Sequence, residues 1–174
     1  MTPQDAESYA SAHTLISIRF AEDADLDELT RIAHASKSHW GYSELDLWRW
    51  RDELTFTTES IRAMSTWVAE LLGKPVGVAQ LRRIPRLELE SLWVHPEAIG
   101  QGVGRLLVDT VRQEARQTGG QELFIDADPN AEVFYQRMGA VRVGETAAPI
   151  EADPDRVRPM LLLKLIPLIT VDPL

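Results

Sequence analysis

Residues 87–107, LELESLWVHPEAIGQGVGRLL, constrain this chain more than any other stretch. Residues 87–94 read as a strand, 95–99 as a connector, and Gly100, Gly102 and Gly104 then open an amphipathic helix. Val103, Leu106, Leu107, Thr110, Val111 and Glu114 recur at helical spacing, and Gly119–Gly120 stop the helix. Glycine has no Cβ, so a ligand can approach bare backbone, and the first N–H groups of a helix lack intrahelical partners. With the positive end of the helix dipole, those donors form a site for phosphate oxygens. The spacing therefore predicts a parallel crossover to the next strand and a nucleotide-type pyrophosphate at the turn.

Around this centre short strands alternate with helices. Residues 15–20 (LISIRF) alternate as a first strand does. Asp25 and Glu28 make a capping-box pattern, and Leu26, Leu29, Ile32 and Ala33 mark a helix face running to about Ser36. Ser43 caps a short helix to about Leu54, and residues 58–64 add another turn or two. Residues 66–72 and 75–82, joined by Gly73–Lys74, read as a hairpin, and Ile84–Pro85–Arg86 turns into the central strand. Residues 122–127 (ELFIDA) form a strand buried on both faces. Asp128–Pro129–Asn130 cap a helix carrying Ala131, Phe134, Tyr135 and Met138, closed by Gly139. Strands at 140–144 and 160–166 follow, separated by a polar loop, 145–157. The pattern predicts one α+β domain over residues 15–166. Its mixed, mostly antiparallel central sheet has about six to seven strands, flanked by about four helices. Residues 1–14 are expected to be a flexible N-terminus and 167–174 a C-terminal tail.

Composition removes several function classes. A formal net charge of −9 argues against a nucleic-acid partner, because phosphate binding needs clustered Lys and Arg. The acidity either attracts a cationic substrate or only maintains solubility. No run of about 18 apolar residues exists, so no membrane partner is expected. The first residues lack the basic and apolar regions of a secretory signal. Cysteine is absent, which removes disulfides, thiolate metal sites and a cysteine nucleophile, and the expected location is cytoplasmic. His34 and His39 lack a third partner at metal-ligand spacing, so no metal site is expected. Trp40, Tyr42, Trp48 and Trp50 crowd one segment, and aromatics this dense either plug a core or line a pocket.

Three nucleotide-binding patterns compete for the glycine turn. A P-loop fails because Arg105 and Leu106 follow Gly104 where Lys and Ser/Thr are needed. A dinucleotide fingerprint would find its acidic partner in Asp126, but Arg105 or Leu107 stands where the third glycine belongs. Its glycines also turn directly out of the strand, whereas here a connector intervenes. The third pattern is R/Q-x-x-G-x-G/A. Ile99-Gly100-Gln101-Gly102-Val103-Gly104 resembles this acetyl-CoA motif of the GNAT acyltransferase superfamily at every place but the first. Residues 130–140, NAEVFYQRMGA, are similar to the fourth-helix pattern of that superfamily, in which a Phe-Tyr pair precedes a helix-closing glycine. The resemblance covers roughly residues 15–166.

This resemblance implies an N-acetyltransferase with acetyl-CoA as co-substrate and an amine of a small molecule or protein as acceptor; the alternative is a non-catalytic acetyl-CoA sensor. It implies two splayed strands, with the backbone of Leu92, Trp93 and Val94 receiving the pantetheine arm. Backbone N–H groups of Gly100, Gln101, Gly102, Val103, Gly104 and Arg105 would face the pyrophosphate. Ile99 in place of Arg or Gln removes one side-chain contact, and Asn130 either contacts the cofactor or only caps its helix. The Val94 N–H would bind the thioester oxygen. Tyr135 would protonate the departing thiolate, unless it is only a core aromatic. Glu90, then Glu88, are candidate bases for the acceptor amine, since period-two alternation puts both on one strand face. Trp40, Tyr42 and Trp48 fall in the segment that covers the acceptor pocket in similar proteins. Exposed late strands imply a homodimer.

Overall fold

Strand β2 (Ser65–Leu71) is apolar on both faces, with Trp67 and Ala69 in one buried cluster and Val68 in another. Neighbouring strand residues point to opposite faces, so such a strand needs cover on both sides. Helix α4 (Val103–Gln117) covers one face with Val103, Leu107, Val108 and Val111. Helix α1 (Leu26–Ser38) covers the other with Leu29, Ile32 and Ala33. These observations come from a computed structural model that describes residues 15–165; the segments expected at 1–14 and 167–174 lie outside the described residues.

Chain order is β1 (Ile16–Phe20), α1, α2 (Glu44–Arg49), α3 (Thr58–Ala63), β2, β3 (Lys74–Arg82), β4 (Glu88–Val94), α4, β5 (Glu122–Asp126), α5 (Glu132–Arg137), β6 (Val141–Ala147) and β7 (Val157–Lys164). The sheet order is β1-β2-β3-β4-β5-β7-β6, parallel only between β4 and β5. The α+β class and the mixed sheet match the sequence-based expectation. Residues 58–63 form the additional helix α3, held by a capping box between Thr57 and Ser60. Most boundaries agree with expectation within two residues, and three differ by more. Helix α2 ends at Arg49, β6 extends to Ala147, and β7 begins at Val157, so the loop between the last strands is shorter than 145–157. Among the described residues, no helix is long and apolar enough to cross a membrane.

Two irregularities in β4 create the site. The register against β3 shifts between Gln80↔Ser91 and Leu81↔Leu89, which leaves Glu90 as an extra, bulged residue. Before the bulge Leu89 joins the α4-side core; after it, Leu92 and Val94 pack on that side and Trp93 packs on the α1 side. Glu88 and Glu90 therefore share a face as period-two alternation predicts, both pairing with Arg82, and the bulge resets the pleat only after Glu90. On its other edge β4 meets β5 at one residue pair only, Glu88↔Phe124, supported by the Phe124 N–H donating to the Leu87 carbonyl at 3.0 Å. Beyond that pair the two strands part.

Candidate active site

The glycine turn sits at the open end of this gap. The first intrahelical bond of α4 is donated by Leu106 N–H to the Gly102 carbonyl at 3.1 Å. The N–H groups of Val103, Gly104 and Arg105 therefore precede any intrahelical acceptor. Gly100 and Gly102 have φ of 83° and 88°, a left-handed backbone that favours glycine. Gly104 has a different reason, since a Cβ there would lie 3.3 Å from the Phe134 ring. The Val103 side chain is buried in the core, while the Arg105 side chain is 70% exposed and only loosely paired with Asp109 at 3.8 Å. Gln101 is engaged elsewhere: its N–H donates to the Ala98 carbonyl at 3.3 Å and its side chain to the Glu97 carbonyl at 2.7 Å. Ile99 is exposed.

A cavity of about 550 Å³ opens on the α1 side of the gap. Glu88, Glu90, Trp93 and Asp126 line it from β4 and β5, with Trp50, Arg82 and Lys37 among the remaining wall residues. Both expected bases are tied to guanidinium groups. Glu88 lies 2.8 Å from Arg82 and 3.1 Å from Arg86, and Glu90 lies 2.7 Å from Arg82. Asp126, at the end of β5, is two residues past the β4–β5 contact and so lies level with the bulge. Burial pushes its carboxyl up; Arg158 opposes this at 2.7 Å, and the charges of Glu88 and Glu90 add to the rise.

Asp128 anchors the deeper wall. It accepts from Lys37 Nζ at 2.5 Å and from the Tyr42 hydroxyl at 2.8 Å, while Arg156 Nη2 stands 3.5 Å away. Burial alone would raise the Asp128 carboxyl, but Lys37 more than reverses that and holds it below the ordinary range. Burial lowers Lys37 against the opposing pull of Asp128, with Arg156 and Arg158 adding to the fall. The Tyr42 hydroxyl is pushed up to about 12 by burial and by Asp128. Asp128, not Asn130, is the cap of the turn at Pro129–Ala131, and Asn130 donates to it from its backbone N–H at 3.0 Å and its side-chain amide at 2.9 Å. Tyr135 is buried in the α4-side core beside Phe134; burial, then the charge of Asp128, raises its hydroxyl so that it keeps its proton.

The aromatic segment divides. Trp50 lines the cavity, packed edge-on against Tyr42 at 5.0 Å. Trp40 and Trp48 are exposed, 41% and 60%, and do not line it; Arg51 covers Trp48 at 4.4 Å. Trp48 lies in α2 and Trp50 just past its end, so two residues of helical rotation put them on different sides. Asp126, Asp128, Lys37, Arg156 and Arg158 line the cavity beside the expected Glu88 and Glu90, yet sequence reasoning assigned none of these five to the acceptor site. In sequence Asp126 stands out as a strand-ending acid and as the ribose partner of the rejected dinucleotide pattern, and Asp128 as a cap. Their cationic partners come from distant segments.

The model of the acetyltransferase (GNAT) family matches residues 26–140, well over half of the chain. The protein therefore belongs to the acetyltransferase (GNAT) family. Its relatives include N-acetyltransferase 8 of Homo sapiens, 32% identical over 122 residues that cover 64% of this chain and 54% of that protein. The Mus musculus counterpart is 30% identical over 104 residues, covering 54% of this chain and 46% of its own length. The chain spans about half the length of these curated relatives. A GCN5-related N-acetyltransferase from Rhodopseudomonas palustris superposes with a TM-score of 0.74 at 26% identity, covering 86% of this chain and 95% of that one. The PaiA N-acetyltransferase of Thermoplasma acidophilum, solved with coenzyme A, shares the fold at TM-score 0.67 and 19% identity, covering 86% and 98%.

Proposed function

We propose that this protein is an N-acetyltransferase that moves the acetyl group of acetyl-CoA directly to a primary amine of a small molecule or protein within one ternary complex. The observation that carries the reading is the single residue pair joining β4 to β5, which frees the edge of β4 beside the unpaired N-terminal donors of α4. Bound acetyl-CoA would supply a thioester ready for acyl transfer. The free edge at Leu92, Trp93 and Val94 would pair with the amides of the pantetheine arm as an added strand does. N–H groups of Val103, Gly104 and Arg105, with the turn at Gly100 and Gly102, would hold the pyrophosphate.

A protonated amine cannot attack, so the site must first take its proton. We assign this step to Asp126 ahead of Glu90 and Glu88, because burial raises its carboxyl in spite of the single guanidinium of Arg158, whereas Arg82 bridges the two glutamates. A free-edge N–H, that of Val94, would stabilise charge on the acyl oxygen. Tyr135 would return a proton to the leaving sulfur. A cytoplasmic setting, a single domain over residues 15–166 and a homodimer through the exposed edge strand β6 belong to the same reading. Tyr135→Phe tests the acid. Turnover should fall about tenfold to a thousandfold with acetyl-CoA affinity unchanged; undiminished turnover would remove Tyr135 from the mechanism.

A further inference from the structure

The charges of the cavity form a pattern that acetyl transfer alone does not require. Arg158 on β7 reaches across to Asp126 at 2.7 Å, and both side chains keep partial exposure, 39% and 29%. Deeper in the wall, Lys37 and Arg156 share the single carboxylate of Asp128, all three side chains at least nine-tenths buried. Two cations on one anion leave a positive charge without an ionic partner in a place screened from water. Such a charge is unfavourable unless something anionic completes it. The faces of Tyr42 and Trp50, 4.6 and 4.5 Å from Lys37 Nζ, soften this. Arg156 also donates to the Tyr42 hydroxyl at 3.1 Å and the Ala148 carbonyl at 2.9 Å, but none of these partners is an anion. Arg156 Nε and Trp93 Nε1 belong to cavity-lining residues and are buried with no hydrogen-bond partner among the described residues. Buried donors are rarely left so.

We propose that the acceptor amine also carries a carboxylate close to its nitrogen, as an α-amino acid does, with the carboxylate received at Arg158 and Arg156 and the amine at Asp126. The proposal rests on the acetyltransferase reading and names its substrate class. Such a zwitterion is the mirror image of the Asp126–Arg158 pair. Its ammonium takes Asp126 and its carboxylate takes Arg158, so one internal ion pair is exchanged for two with the substrate. The same contact sets the amine against the group that removes its proton. An amine without the acid must instead compete with Arg158 for Asp126 and leaves the surplus cation unanswered.

The test is equilibrium binding by calorimetry, with and without coenzyme A, of alanine, leucine, phenylalanine and lysine, each as free acid, primary amide and decarboxylated amine. In at least one set the free acid should bind about tenfold or more tightly than the amide or amine. Arg158→Gln should bring that ratio close to one, and Arg158→Lys, which keeps the charge, should retain most of it. Arg158 is partly exposed, so its replacement leaves the buried Lys37–Asp128–Arg156 group in place. Equal binding of acid and amide in every set, absence of binding in all of them, or an acid preference that survives Arg158→Gln would each overturn the proposal. Titration with acetyl-CoA is read separately; its failure would remove the acetyltransferase reading rather than the carboxylate subsite.

Discussion

At the scale of single residues, the account turns on which carboxylate can accept a proton. Glu88 and Glu90 attract attention in the sequence because they stand two apart in the central strand. Their guanidinium partners Arg82 and Arg86 become visible only once the hairpin register is known. Asp126 reads in sequence as a strand-ending acid and as the acidic partner of a dinucleotide pattern that fails, not as a base. Asp126→Asn should lower kcat about a hundredfold or more while leaving acetyl-CoA affinity within about twofold, measured by thiol release and calorimetry. Burial first, then Glu88 and Glu90, lift this carboxyl above its ordinary 3.8. The group works deprotonated, so kcat/KM should rise as pH climbs through that elevated value. The Asn variant should lack this acidic limb, and an unchanged limb would place the base elsewhere.

At the scale of elements, the strand–turn–helix unit was legible because its signals are local: alternating residues, a glycine connector, then helical spacing. What makes it a site is not local. Gly77 on β3 carries no obvious signal in the sequence, yet a Cβ there would lie 2.9 Å from Val103 Cγ1 and 3.0 Å from Leu107 Cδ1. The missing side chain lets the first turn of α4 sit down on the sheet beside the gap. Gly77→Val should lower stability by about 2 kcal/mol through overpacking. It should also weaken acetyl-CoA binding by shifting the donor groups; thermal denaturation and calorimetry read the two effects. Arg105 tests the cradle without straining the backbone, which a branched residue at Gly102 would do. Reversal of this exposed charge in Arg105→Glu should weaken acetyl-CoA binding roughly tenfold at low salt and less at high salt. Binding that ignores the reversal at every salt concentration would move the pyrophosphate away from this turn.

At the scale of the whole molecule, the sheet is held between α1 and α4, and distant segments converge on the cavity. Mixed topology and both covering helices followed from apolar spacing. The insertion of β7 between β5 and β6 did not, because strand order beyond a hairpin depends on which edges are left free after collapse. That insertion is what brings Arg156 and Arg158 to Asp128 and Asp126. Stability at the opposite end depends on Arg19, which binds Asp25 through two nitrogens at 2.7 and 2.8 Å and Glu70 at 2.8 Å. The hydrogen bonds from Arg19 lead in holding the Asp25 carboxyl below its ordinary 3.8. Its contribution is therefore present above that value and is lost as pH falls through the lower folded one. Asp25→Asn should lower stability by about 1–2 kcal/mol at neutral pH. Its acid unfolding should be less steep than that of the unaltered protein, as followed by circular dichroism.

The central claim is that the gap between β4 and β5 performs acetyl transfer. It is tested most directly by thiol release from acetyl-CoA across polyamines, amino acids, aminoglycosides and peptides with free N-termini. The account predicts release above the protein-free rate with at least one amine, an acetylated product of matching mass, and loss of that release in Asp126→Asn with acetyl-CoA still bound. Tight acetyl-CoA binding with no release for any amine would contradict it and leave a protein that senses the cofactor without consuming it.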